Sequence, residues 1–208
     1  MRLVQKSIVL KIVIIVILIL NLIKINAQNI DYQILKDLNN VQTTFNTDAN
    51  KFITNTAPYL SVGTPILMAG VGLLTKNEDL KKKGIETGIA CALTIVETYA
   101  LKSVVKRNRP FITYAGDLNN PDTEGGYSFP SGHSSAAFSV ATSLSLNYPK
   151  WYVIAPAYLW ASATAYSRMY LNVHYPSDVL VGAILGSATA WATWKINKKW
   201  QAKKKALK

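Results

Sequence analysis

PSGHSSAAFSVATSLSLNYPKWYVIAPAYLWASATAYSRMYLNVHYPSDVLVGAILGSATAWATWKI occupies residues 130–196, and its punctuation decides the fold. Three apolar segments, roughly Ser135–Tyr148, Tyr152–Tyr166 and Val179–Ile196, are parted by Pro149-Lys150 and by the polar run 167–178. None alternates apolar and polar residues as a half-buried strand does. Small residues recur at every fourth position instead: Ser135, Ser139 and Ser143; Ala161 and Ala165; Gly182 and Gly186. That spacing suits helices that approach closely. Upstream, two more apolar segments, roughly Pro58–Leu74 and Ile85–Leu101, are separated by KNEDLKKKG. The reading is an all-α helical bundle.

At 208 residues the chain is one domain on length alone. Its net charge of +12 is segregated into the run 80–84 and the tail KINKKWQAKKKALK at 195–208. Neither is interleaved with aromatics for base stacking, so nucleic acid is not the expected partner. Lysine instead marks the loop after Leu74, the NYPKW turn and the tail, the pattern of cytoplasmic loops in membrane proteins. Trp151, Tyr152, Trp191, Trp194 and Trp200 could form an interfacial belt. Five to six transmembrane helices are therefore expected. Against this, the segments are near the short end for a span, and Glu86 and Glu97 interrupt the second, which leaves a soluble bundle as the alternative. Residues 1–27, with Arg2, Lys6 and Lys11 before IVIIVILIL, read either as a signal peptide ending after Ala27 or as a first transmembrane helix. Residues 28–57 read as an amphipathic N-terminal segment lying on a surface. Cys91, the single cysteine, permits no intrachain disulfide and reads as a small buried hydrophobe.

The polar runs hold the chemistry. KSVVKRNRP at 102–110 supplies Lys102 and Arg109. PSGH at 130–133 opens an apolar segment, where helix-terminal amides, Gly132 and the Ser131 hydroxyl can receive an anion. SRMYLNVHYPSD at 167–178 supplies Arg168, His174 and Asp178. Helical spacing would set Lys102, Lys106 and Arg109 on neighbouring faces of consecutive turns. Cations bind phosphate, one histidine can attack phosphorus, the other can protonate the leaving oxygen, and an aspartate can orient the attacker. His133 and His174 are the only histidines, and the nearby cations would repel a divalent ion, so no metal is expected. The loop at 111–129 is polar and is either a lid or a plain connector.

These strings resemble the type 2 phosphatidic acid phosphatase superfamily, whose pattern is K-x6-R-P, then P-S-G-H, then S-R-x5-H-x3-D. All three elements occur in order and with matching spacing, and the resemblance spans roughly residues 58–196. It implies a phosphatase domain over 58–208 that is independent of metals and cofactors. By that resemblance His174 is the nucleophile, forming a phosphohistidine, and His133 is the general acid. Asp178 orients His174, and Lys102, Arg109, Ser131, Gly132 and Arg168 bind phosphate. The implied substrate is a membrane lipid phosphomonoester or diphosphate, hydrolysed at the periplasmic end of a bundle in the bacterial inner membrane. The rival reading is a soluble periplasmic acid phosphatase for small esters. Vanadate should inhibit either. Nothing in the sequence points to an obligate protein partner.

Overall fold

The computed structural model describes residues 29–206 apart from 120, 121 and 123. The signal or first span expected at 1–27 lies outside the described residues. Seven helices follow: α1 (29–40), α2 (Thr44–Leu74), α3 (Glu78–Val105), the short α4 (Pro110–Thr113), α5 (Gly132–Asn147), α6 (Trp151–Tyr170) and α7 (Pro176–Ala206). Among the described residues there is no strand. The five apolar segments map onto α2, α3, α5, α6 and α7.

Helix α5 is the axis of the bundle and packs on α7, α6, α3 and α2. Its contact with α7 is backbone-close. A Cβ on Gly186 would stand 2.0 Å from the Ser135 carbonyl oxygen, and one on Gly182 would stand 2.7 Å from that of Ser131. Both glycines are therefore required by proximity. Encircled in this way, α5 buries Ser134, Ser135, Ser139 and Ser143 and need not present an apolar face to lipid. The outer helices do the reverse. Ile66, Leu67 and Leu74 on α2, Val96 on α3, and Leu180 and Ile184 on α7 are all exposed. Among the described residues three helices, those of α2, α3 and α7, are long and apolar enough to cross a bilayer. The chain is thus built as a membrane protein, with the shorter α5 held inside it.

The chain ends of these helices sort by chemistry. At one end the start of α3 meets the ends of α5 and α7. There Glu86, 6% exposed, accepts hydrogen bonds from Asn147 Nδ2 (2.9 Å) and from Asn197 Nδ2, and Lys83 stacks over the Tyr148 ring. Glu97, deeper, accepts from Thr189 Oγ1 at 2.6 Å. Both carboxylates are structural ties between helices. The other end collects the termini at 105–110, 131–133 and 168–178.

Two expectations need correction. Helix α2 runs straight through the boundary placed at 57/58, with Pro58 and Pro65 inside it. A proline removes one ladder hydrogen bond, and a long helix packed on α3, α5 and α6 tolerates the loss. Nor is 28–57 a surface appendage. Its first part, α1, buries Leu35 fully against Leu118 and Tyr175, and packs Leu38 on Leu171 and Val173. It therefore roofs the loop that carries His174.

Candidate active site

The cation segment is shaped by one residue. Helix α3 stops at Val105 because Lys106 turns left-handed (φ 50°), its N–H bonding back to the Lys102 carbonyl at 3.1 Å. Lys102 stays on the helix, whereas Arg107 and Arg109 leave it. The expected stacking of Lys102, Lys106 and Arg109 on consecutive turns is therefore wrong. Arg109 is extended (ψ 155°), as a residue before proline is driven to be, and Pro110 starts α4 instead of stopping a helix. The reversal brings Arg109 back over the pocket, 2% exposed. There it donates to the carbonyls of Val173 (2.9 Å), Gly125 (2.8 Å) and Gly126 (3.1 Å).

Ser131 is the N-cap of α5. Its hydroxyl accepts from the Ser134 N–H at 3.4 Å and the Ser134 hydroxyl at 3.1 Å. Pro130 therefore lies before the cap and outside the first turn. Gly132 and His133 follow and face the pocket, while the Ser131 hydroxyl is committed to the cap.

The last turn of α6 carries Arg168, whose carbonyl accepts the N–H groups of Val173 and His174, both at 3.2 Å. Asn172, left-handed at φ 55°, makes that return possible and donates to Asn39 Oδ1 (2.8 Å) and the Asn119 carbonyl (3.0 Å). His174 is thereby held 1% exposed. Its Nε2 faces Arg109 Nη1 at 3.2 Å and its Nδ1 faces Asp178 Oδ2 at 3.5 Å. A guanidinium can only donate, which assigns the lone pair to Nε2 and the proton to Nδ1. Burial first, then the charges of Arg168, Arg109 and Lys102, hold the imidazole well below its ordinary pKa. It is a neutral base with its free nitrogen turned toward the cations.

Asp178 is fully buried. Its Oδ2 accepts from the Tyr175 N–H (3.0 Å) and its Oδ1 from Arg107 Nη1 (2.7 Å). Arg168 is positioned from α2, where Thr54 Oγ1 accepts from Nη1 at 2.7 Å. Its buried Nε has no hydrogen-bond partner among the described residues.

Lys102, Arg109, Gly132, His133 and His174 line one cavity of about 330 Å³. Its other wall is mainly apolar: Ala57, Pro58 and Val62 of α2, Ile95 and Tyr99 of α3, and Ala136 of α5, with Ser61 and Thr98 between them. A second groove shares Ser61, Val62 and Ile95 with it and continues between α2 and α3 past Ile66 to Cys91. Glu124 reaches into the polar end. Its carboxylate pairs with Arg168 Nη2, lies 3.3 Å from Arg109 Nη1 and 3.9 Å from His133 Nδ1, and Asp122 lies 3.9 Å from Arg168. An anion of this chain thus rests among the cations.

The structure brings Lys102, Arg109, Gly132, His133, Arg168, His174 and Asp178 together, with Ser131 beneath as a cap. Sequence reasoning missed Arg107, Asp31, Ser177, Thr54 and the placement of Glu124. Arg107 stands two residues before Arg109 but outside the K-x6-R-P motif positions. Among the described residues no three His, Cys, Asp or Glu side chains gather to hold a metal ion.

Residues 84–202 match the sequence model of the PAP2 superfamily. The lipid A 4'-phosphatase of Bacteroides thetaiotaomicron is 34% identical over 127 residues, 55% of this chain and 56% of that one. The undecaprenyl-diphosphatase of Sulfolobus acidocaldarius is 34% identical over 128 residues, 60% of each. The chain thus spans less than two thirds of the length of these relatives. The transmembrane PAP2-type phosphatidylglycerolphosphate phosphatase of Bacillus subtilis superposes with a TM-score of 0.70 at 25% identity, over 84% of this chain and 87% of that one.

Proposed function

The chain belongs to the PAP2 superfamily, and from that membership we propose that it hydrolyses a lipid phosphomonoester or diphosphate at the outer face of the membrane through a phosphohistidine. The observation that carries the reading is the continuous α2/α3 groove. Between Ala57 and Ala69 it follows α2 for about 18 Å, lined mainly by apolar side chains with Ser61 among them, and it ends on Lys102, Arg109, His133 and His174. A lipid phosphate fits both halves. Its tail lies in the groove and its headgroup phosphate displaces Glu124 onto the three cations.

In the first step Nε2 of His174 attacks phosphorus. The bond between phosphorus and the leaving oxygen breaks, and His133 gives that oxygen a proton. Lys102, Arg109 and Arg168 stabilise the charge on the phosphoryl oxygens, as preorganised donors do. Asp178 balances the imidazole while it carries the phosphoryl group. In the second step water gives a proton to His133 and attacks the phosphohistidine, releasing phosphate and restoring His174. The lysine-bearing turns at the opposite end favour a cytoplasmic placement for that end and a periplasmic one for the site. Residues 58–208, with α1 and the start of α2 added, form the catalytic unit.

The test is phosphate release from undecaprenyl diphosphate, a lipid A phosphate and a phosphatidate against p-nitrophenyl phosphate in one detergent, with and without EDTA. Higher catalytic efficiency on a lipid, unchanged by EDTA, is expected. Equal or better turnover of the soluble ester would favour a small-ester acid phosphatase. EDTA-sensitive activity restored by magnesium would remove the metal-free scheme.

A further inference from the structure

Asp31 lies on α1, outside the matched residues 84–202, yet it is only 3% exposed and its carboxylate is fully engaged. Oδ1 accepts the Ser177 N–H at 2.9 Å, a first-turn amide of α7 that has no partner within its own helix. Oδ2 accepts from the Ser177 hydroxyl and from Arg107 Nη2 at 2.9 Å. Arg107 spans the gap: Nη1 donates to Ser177 Oγ and to Asp178 Oδ1, both at 2.7 Å. Its guanidinium carbon lies over the Tyr175 ring, 3.6 Å from the centroid. One cation is thus shared by two buried carboxylates, and one of those carboxylates faces His174.

We infer that Asp31 is a positioning residue for the reaction, acting through Arg107 and Ser177 to hold Asp178 against His174 Nδ1 and to keep that carboxylate a strong acceptor. The reason is charge sharing. With Asp31 present, Arg107 divides its attraction between two anions, so Asp178 retains negative character toward the imidazole. Without Asp31, Arg107 neutralises Asp178 alone, and its other nitrogen loses the anchor that fixes its plane. Asp178 then supports the cationic character that His174 gains as it attacks phosphorus less well. The groups facing His174 are Arg168 from α6, Arg109 before α4, Lys102 from α3, His133 from α5 and Asp178 from α7. Against these cations Asp178 is the counter-charge in contact with the ring, and Arg107 and Asp31 set its strength. The roof helix α1 is thereby a working part of the site.

The inference rests on His174 as nucleophile, so the wild-type protein must first release phosphate from a phosphatidate in detergent. Inactivity on every lipid phosphate would remove that functional reading and this inference with it. Given an active wild type, Asp31→Asn is expected to lower kcat about tenfold with KM little changed. It should also move the acid limb of the kcat profile to lower pH, because removing an anion disfavours the protonated imidazole. Asp31→Glu, which keeps the charge, should restore the acid limb. Gln42→Ala removes a contact that seats the connector just after α1, to the Tyr170 carbonyl, without touching charge, and should leave the limb in place. Should Asp31→Asn not be recovered folded, Ser177→Ala carries the same test, with a smaller shift in the same direction. Unchanged kcat and acid limb in Asp31→Asn, or equal shifts in Gln42→Ala, would overturn the inference.

Discussion

His174 stands in a short loop, 171–175, whose amides bond back to Arg168, whose Asn172 bonds to α1 and to the Asn119 carbonyl, and whose underside packs on Leu38. The loop at 114–128 borders the same cavity but meets it mainly through Glu124 and the carbonyls of Gly125, Gly126 and Tyr127. One loop is tied into the bundle from three elements. The other touches the site with groups that compete for the cations a substrate would use. A phosphoryl-transfer site needs both behaviours. The attacking nitrogen must be preorganised, whereas whatever neutralises the cations at rest must leave. If that contrast is right, damage to the first loop should cost turnover, and damage to the second should change binding.

The largest effect tests the fixed loop. His174→Asn should lower kcat by about 10⁴-fold or more, since no other described side chain is placed to attack; phosphate release under saturating lipid measures it. His133, with a side chain 26% exposed and Glu124 3.9 Å away as its ion-pair partner among the described residues, is held less tightly. His133→Ala should cost about 10²–10³-fold and leave phosphoenzyme detectable after acid-free quenching. An equal loss in both variants would erase the distinction between nucleophile and proton donor.

The pH profile sharpens the same contrast. The nucleophile must be neutral, and burial with Arg168, Arg109 and Lys102 holds His174 well below its ordinary pKa. The neutral form therefore persists as pH falls through 6.5, and the acid limb of kcat/KM should lie well under that value. A limb at or above 6.5 would mean that the cations do not act on His174 as placed. Next in size is Thr54→Val, which removes the Arg168 anchor supplied by α2. A lost hydrogen bond of about 1 kcal/mol or slightly more predicts a five- to tenfold drop in kcat/KM, read with short-chain substrate to exclude groove effects.

Much of this was legible in the sequence, and the rest was not for identifiable reasons. The five apolar segments located the bundle helices because their breakers are local: Pro149, the charged loop after Leu74, and the polar run 167–178. The motif residues converge because each sits at a helix end on one side of the bundle. Arg107 was hidden by Lys106, a left-handed residue without the glycine that usually announces one, so the helix appeared to continue. Asp31 was hidden by distance, since its partners Arg107 and Ser177 lie 76 and 146 residues away. Helix periodicity showed that α1 had an apolar face but not that the face covers the catalytic loop.

The smallest expected effect bears most directly on the loop that carries Glu124. Glu124, its side chain 28% exposed, competes with any anion for Arg109 and Arg168. Glu124→Gln keeps the shape and removes the charge. Because the site is partly open to solvent, the competing pair is worth only a fraction of a kcal/mol to about 1 kcal/mol. Vanadate and inorganic phosphate should then inhibit about threefold more tightly, and KM should fall by a similar factor. The rate of the chemical step should barely change, since Glu124 has left before His174 attacks. The same logic predicts a slight fall in kcat only where phosphate release limits turnover, because the carboxylate no longer helps displace the product. Vanadate inhibition that weakens in Glu124→Gln would reverse the picture. Glu124 would then be holding the phosphoryl site together, and the two loops would share one task.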